Sequence, residues 1–239
     1  MSDIIEKPQQ FEPTRWSLVL RARGGDEAQR RAALEALCRA YWYPLYAFLR
    51  RAGRAVEDAE DLAQEFFVRL LDGRLLGTAD PARGKFRTLL LSALRQVDAD
   101  VWRSANALKR GGGMVVVPID SELAEERFLA DKSEGGSPEL AFDRAWAAAV
   151  MERTWARLRE SYAGTKAALF AELAPRISGG DGTLAEVAAR LGMGEVAVRQ
   201  AMSRLRTRLG EALKAEVAET VGSPEAAQQE MRHLLALFS

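Results

Sequence analysis

Histidine and cysteine are almost missing from this chain of 239 residues, which has one of each, His233 and Cys38. A single cysteine excludes an intrachain disulfide. Cys38 falls in an apolar helical stretch and reads as a small buried side chain. A lone histidine builds neither a metal site nor a catalytic triad. Long apolar runs are missing too: none approaches the roughly 18 to 20 residues of a membrane span. The polar segment Met1 to Gln10 lacks the apolar centre of a signal peptide, so the expected location is the cytoplasm, without membrane insertion. Net charge is absent, with 34 basic residues against 34 acidic ones. Composition therefore gives no electrostatic argument for a nucleic-acid partner, and only local fields can. No nucleophile elbow, zinc or dinucleotide signature occurs, and no Gly-Lys-Ser/Thr follows the glycine runs at 111–113 and 179–182. An enzyme is the weakest reading, and no cofactor or metal is expected.

About half of the residues, 48%, are apolar, enough for real cores. Ala, Leu, Arg and Glu dominate and β-branched runs are scarce, which favours an all-α protein. The pattern predicts two small helical domains joined by a linker. Residues 1–13 read as a flexible leader. A first helix is expected from near Thr14. Leu34, Leu37, Cys38, Tyr41, Leu45, Phe48 and Leu49 recur at helical spacing, and Pro44 predicts a kink or break among them. The next helix opens with Glu57, Asp58, Glu60 and Asp61, then sets Leu62, Phe66 and Leu70 on one face. A third runs from about Gly84 to Leu108 on the stripe Phe86, Leu90, Leu94, Val97 and Val101.

Gly111 to Gly113 break the chain. Residues 114–119 form a short apolar stretch with extended character, and residues 120–136 carry six acids. The segment 111–136 is the best linker candidate. Ser137-Pro138-Glu139 is a strong helix start, with a capping serine, proline at the first position and then an acid. Thr183 to Glu186 fits a capping box, Gly192 stops that short helix, and a longer one runs from about Glu195 to Val217. Ser223-Pro224-Glu225 introduces a tail helix within 223–239.

Residues 183–209 form the strongest local signal, a helix-turn-helix pattern in the second domain. In such units the second helix enters the major groove, and residues near its start meet base edges. Its exposed positions include Arg199, Gln200, Ser203, Arg204 and Arg206. Arginine suits guanine or phosphate and glutamine suits adenine; an ordinary helical hairpin with a solvated basic face has the same pattern. From Arg83 to Arg110 there are seven basic residues against Asp98 and Asp100. With Trp102 interleaved they suit phosphate contact and base stacking, although many helices carry exposed arginines. From Glu57 to Glu65 there are five acids and no base. That segment reads as helix-dipole matching, as a metal site that no further ligand motif supports, or as a docking surface for a basic partner, slightly favoured by Phe66-Phe67.

In this order and spacing the segments resemble the extracytoplasmic-function group of bacterial RNA polymerase sigma factors, over most of the chain. Asp58 through Leu71 is similar to the helix that docks on the polymerase clamp. Phe86-Arg87 through Arg95-Gln96 to Asp100 resembles the promoter-melting helix that reads the minus-ten element. Thr183 through Leu209 resembles the helix-turn-helix that reads the minus-thirty-five element. Thr14 to Ser17 and Ala107 to Gly113 resemble a subgroup with a short C-terminal extension. Leu89 stands where tryptophan is frequent, Gln96 where asparagine is common, and Gly194 where serine usually caps the recognition helix.

The resemblance implies domain two at 14–110, a linker at 111–136, domain four at 137–222 and an extension helix at 223–239. It implies polymerase binding by Asp58, Asp61, Leu62, Gln64, Glu65 and Phe66. It implies DNA contact by Lys85, Arg87, Arg95, Trp102, Arg103 and Asn106 in the melting region, and by Arg199, Gln200, Ser203, Arg204 and Arg206 upstream. The implied partners are core RNA polymerase and promoter DNA; an anti-sigma factor or other regulatory protein is left open. The competing readings are a dimeric helix-turn-helix regulator that acts without polymerase, and an all-α interaction protein.

Overall fold

Asp26 starts the first described helix by accepting a hydrogen bond from the Gln29 amide at 2.8 Å. The computed structural model describes residues 24, 26–71, 85–105, 121–130, 136–180, 183–221 and 223–238. The expected leader, the helix start near Thr14 and the stretch 114–119 lie outside these. Helix α1 spans Glu27–Arg51 and continues through Pro44, where a kink or a break was expected. A proline inside a helix costs about 3 kcal/mol. Here the buried side chains Tyr41, Leu45, Tyr46 and Leu49 around it hold the helix in a core that offsets the loss.

Helix α2, Val56–Leu71, lies against α1, and α3, Phe86–Ala105, lies against α2. Their stripes, Leu62, Phe66, Phe67 and Leu70 on one and Phe86, Leu90, Leu94 and Val97 on the other, fill one core with Leu37, Tyr41 and Leu45. Tyr41 and Phe86 meet edge-on with ring centroids 5.3 Å apart.

The expected linker is in part a helix, α4, Ser121–Ala130. Its Glu125 accepts hydrogen bonds from Tyr46 Oη and, at 2.9 and 2.7 Å, from Arg50 Nε and Nη2. The guanidinium groups of Arg50 and Arg51 lie 5.2 and 5.4 Å from the centre of the Phe128 ring. This acidic stretch has helical residues with a basic and aromatic surface to bind, so it folds onto α1.

Helix α5, Pro138–Ser161, begins as expected, with Ser137 Oγ accepting from the Leu140 amide. A short 3-10 turn at Gly164–Lys166 leads into α6, Ala167–Ile177, then α7, Leu184–Leu191, α8, Glu195–Ala218, and α9, Pro224–Ala236. A second core gathers Leu158, Phe170, Leu173, Val187, Val198, Met202 and Leu205. The capping box is present: Thr183 Oγ1 accepts from the Glu186 amide and Glu186 Oε2 accepts from the Thr183 amide. Gly192 ends α7 at φ 61°, a left-handed turn that glycine adopts without strain.

Among the described residues the fold is all-α, a first helical domain followed by a later one, with no strand. Two long helices serve both cores. The first half of α5 gives Phe142, Trp146 and Val150 to the first core and its end gives Leu158 to the second. Helix α8 gives Val198 and Leu205 to the second core and Val217 to the first, which also takes Leu234 of α9.

Candidate nucleic-acid interface

Helix α2 presents Asp58 and Asp61 to solvent, with Gln64 and Glu65 half-buried beside them. Glu65 accepts from Arg69 Nε at 2.7 Å, and Arg69 also reaches Asp100 at 2.8 Å. Leu62 and Phe66, expected on a docking surface, are only 5% and 0% exposed. Phe66 meets its neighbour Phe67 edge-on inside the core, at 5.3 Å. These aromatics therefore hold the helix from below. Of the predicted docking residues, the accessible ones are the acids Asp58, Asp61 and Glu65 and the amide Gln64.

Helix α3 turns Phe86, Leu90, Leu94 and Val97 inward and carries basic residues at its other face. Each predicted basic contact whose side chain is described has an acidic partner on a later helix. Lys85 Nζ lies 2.5 Å from Glu230 of α9. Arg87 donates from Nε to Glu230 at 2.6 Å and also pairs with Asp143 of α5. Its guanidinium lies 5.6 Å from the Trp146 ring centre. Burial works against the charge on Arg87, but the hydrogen bonds and charges of Glu230 and Asp143 outweigh it and hold the guanidinium pKa above its ordinary value. Arg95 pairs with Glu139 at 2.5 Å and remains exposed. His233 Nε2 lies 2.8 Å from Asp143 Oδ2, closing the cluster. Trp102 and Arg103 belong to the helical backbone of α3, their side chains lie outside the described set, and Asn106 lies outside the described residues.

The acids of α3 are matched from the other side, Asp98 by Arg54 at 2.7 Å and Asp100 by Arg69. The start of α3 is thus a cationic surface already filled with carboxylates. Nothing in the sequence order pointed to Asp143 and Glu230, which reach Arg87 from 56 and 143 positions away.

Helix α8 differs. Arg199, Gln200, Ser203, Arg204 and Arg206 are all exposed, while Val198, Ala201, Met202 and Leu205 are buried on the opposite side. The structure brings all five predicted residues onto the outer side of one helix, following a turn. Arg208 is different in kind: its guanidinium packs 5.3 Å from the centre of the Tyr162 ring. Among the described residues no group of three or more His, Cys, Asp or Glu side chains could hold a metal ion. No described helix is long and apolar enough to cross a membrane.

An acidic helix packed against a basic one, both on a common aromatic core, is the arrangement on which one comparison bears directly. Residues 37–107 match the family model Sigma-70 region 2. This region 2 segment takes in most of α1 and all of α2 and α3, and so contains the exposed acids and the basic start of α3. It supports a sigma-70 family factor, with a role in RNA polymerase binding and promoter recognition. Neither curated proteins nor solved structures gave a match.

Proposed function

We propose that the chain is a sigma factor of the extracytoplasmic-function group, which binds core RNA polymerase and directs initiation at particular promoters. The observation that carries this reading is the region 2 match falling on α1 to α3, where an exposed acidic surface and a basic one share a core. Asp58, Asp61 and Glu65 would hold the polymerase by charge complementarity, with Gln64 adding hydrogen bonds. Lys85, Arg87 and Arg95, with Trp102, Arg103 and Asn106, would meet the melting region of the promoter. Stacking and phosphate contact there favour the opened strand, because they offset part of the few kcal/mol that unpairing costs. No covalent step is needed. Helices α7 and α8 would act as the helix-turn-helix that reads the upstream element through Arg199, Gln200, Ser203 and Arg204, with Arg206 towards the backbone. The segment 223–239 would be the C-terminal extension.

The exposed face of α8 would serve equally well in an operator-binding regulator, so the deciding experiment uses polymerase. The purified chain is mixed with core RNA polymerase and a library of promoter fragments, and transcript starts are mapped. A stable complex and new, sequence-specific starts are expected. Operator binding by a dimer, with neither complex nor starts, would replace this reading with the regulator.

A further inference from the structure

The cluster at the start of α3 holds charges that the promoter contacts described above leave unexplained. Glu230 is buried, its side chain only 1% exposed, and it faces both Lys85 and Arg87. A carboxylate so enclosed is stable only while its cations are present, because an unpaired buried charge is strongly unfavourable. Asp143 adds a second carboxylate on Arg87 and is tied in turn to His233 of α9. Glu230 places its oxygens on Lys85 and on the Nε and Nη2 side of Arg87 much as a DNA phosphate would, and the two kinds of anion cannot occupy those positions at once.

We infer that α9 is an intramolecular lock, whose Glu230 covers Lys85 and the Nε and Nη2 side of Arg87 and must withdraw before they can meet DNA, while Asp143 stays on α5 beside Nη1. This rests on the reading of α3 as a promoter-contacting helix and adds a control to it.

The anchoring of α9 suits release. The helix is 13 residues long and buries only Glu230 and Leu234. Although α9 packs on α8, an open groove of about 770 Å³ lies beside that contact, lined by Lys214, Val221, Pro224 and Met231 among others. Beyond Leu234 the large apolar side chains Leu235 and Phe238 are 52% and 59% exposed. The helix carries its own caps: Ser223 Oγ accepts from the Ala226 amide, and Pro224 opens the first turn. It can therefore leave the first core as an intact unit, giving up Leu234, the half-buried Met231 and Leu237 packed beside it, and one ion cluster.

The test uses the full-length chain without polymerase. Spin labels are placed at Ser92→Cys and Gln229→Cys, both exposed, in a Cys38→Ala background. The distance between them is measured by electron spin resonance for the otherwise unchanged chain, for Glu230→Gln and for Glu230→Gln with Leu234→Asp. Binding of a fluorescent single-stranded oligonucleotide of mixed sequence is measured alongside at several salt concentrations. The unchanged chain should give one short distance and weak binding. Release should lengthen the distance and steepen the log affinity against log salt slope by about 1.4, the value for two further phosphate contacts on a single strand. Adding Arg87→Gln to the released variants should remove about half of that gain. A lengthened distance with unchanged slope would show that α9 hides no DNA contact and would overturn the lock. An unchanged distance in both variants, with helix content intact, would make α9 a fixed part of the core and overturn it as well. No readout here needs polymerase, so failure of the sigma reading in the promoter experiment is a separate result.

Discussion

Arg87 Nε lies 2.6 Å from Glu230 Oε1, linking the first turn of α3 to a residue 143 positions later. The bond joins a helix inside the region 2 segment to one near the end of the chain. Buried ion pairs of this kind add little net stability, because desolvation consumes most of the attraction. Their effect is to fix which surfaces face one another. In this protein the surfaces so matched are a basic helix start and the two acids that neutralise it.

The acidic face of α2 separates docking from folding. Asp58→Asn combined with Asp61→Asn should weaken core polymerase binding by about tenfold or more, since charges at an interface act on both encounter and hold. The melting temperature should barely change, because both residues are exposed. Phe66→Ala should instead cost about 3–5 kcal/mol of stability, as for a large buried aromatic. Pull-down with core enzyme and thermal denaturation separate the two.

On α8 the contrast is between Arg199 and Arg208. Arg199→Ala should change the preferred upstream element, with a loss of about 1–3 kcal/mol of discrimination at one base position. Arg208→Ala should lower stability through the lost contact with Tyr162 and leave the preference as it was. Selection from a randomised upstream element reads the first, and denaturant unfolding the second.

Glu125 gives α4 a pH dependence. Hydrogen bonds from Arg50 and then Tyr46 hold its carboxyl below the ordinary carboxylate value despite the opposing effect of burial. A depressed pKa in the folded chain means stability that is present above the unfolded value, about 4.3, and lost as pH falls through the folded value. Glu125→Gln should therefore destabilise the chain at neutral pH, and the difference from the unchanged chain should shrink steadily below pH 4.3 or so. Urea unfolding across that range measures it. A difference that did not depend on pH would mean that packing alone holds α4.

Gly192→Ala should cost about 1 kcal/mol, because a left-handed residue is unfavourable for any side chain, here at φ 61°. The open space around the position excludes a clash as the cause. Gly192→Asn should cost less, since asparagine tolerates that conformation, and chemical denaturation of both variants ranks them.

Burial, with the nearby charge of Glu35 adding to it, pushes the Cys38 thiol up to about 12. The thiolate is the reactive form. A thiol-directed dye at pH 8 should label the chain only after denaturant is added.

Helical spacing and capping chemistry made most of the elements legible. The capping box at Thr183, the proline start at Pro138 and the stripe on α3 all formed as the residues suggested, because each depends on neighbours within a few positions. The unbroken passage through Pro44 was not legible, since the core that offsets its cost comes chiefly from α5 and α2. Nor was α4, whose acids suggested a linker until Arg50 and Tyr46 were brought beside Glu125 and Arg51 beside Phe128. Phe66 shows the same limit: an aromatic after acids has one sequence signature whether it faces a partner or the interior. Which arginines of the basic surfaces are covered depended on contacts across the whole chain, so Arg87 and Arg199 were alike in sequence and are opposite in structure.

The apolar part of the contact between the chain's end and its first core has a thermal consequence. Val217 and Leu234 enter that core from α8 and α9. Apolar burial is driven mainly by entropy near room temperature and weakens on cooling, whereas the ion pairs around Glu230 do not depend on that drive. Detachment of the last helix exposes apolar surface and so carries a positive heat-capacity change. Its free energy must then curve with temperature, and the attachment becomes less secure in the cold as well as at high temperature.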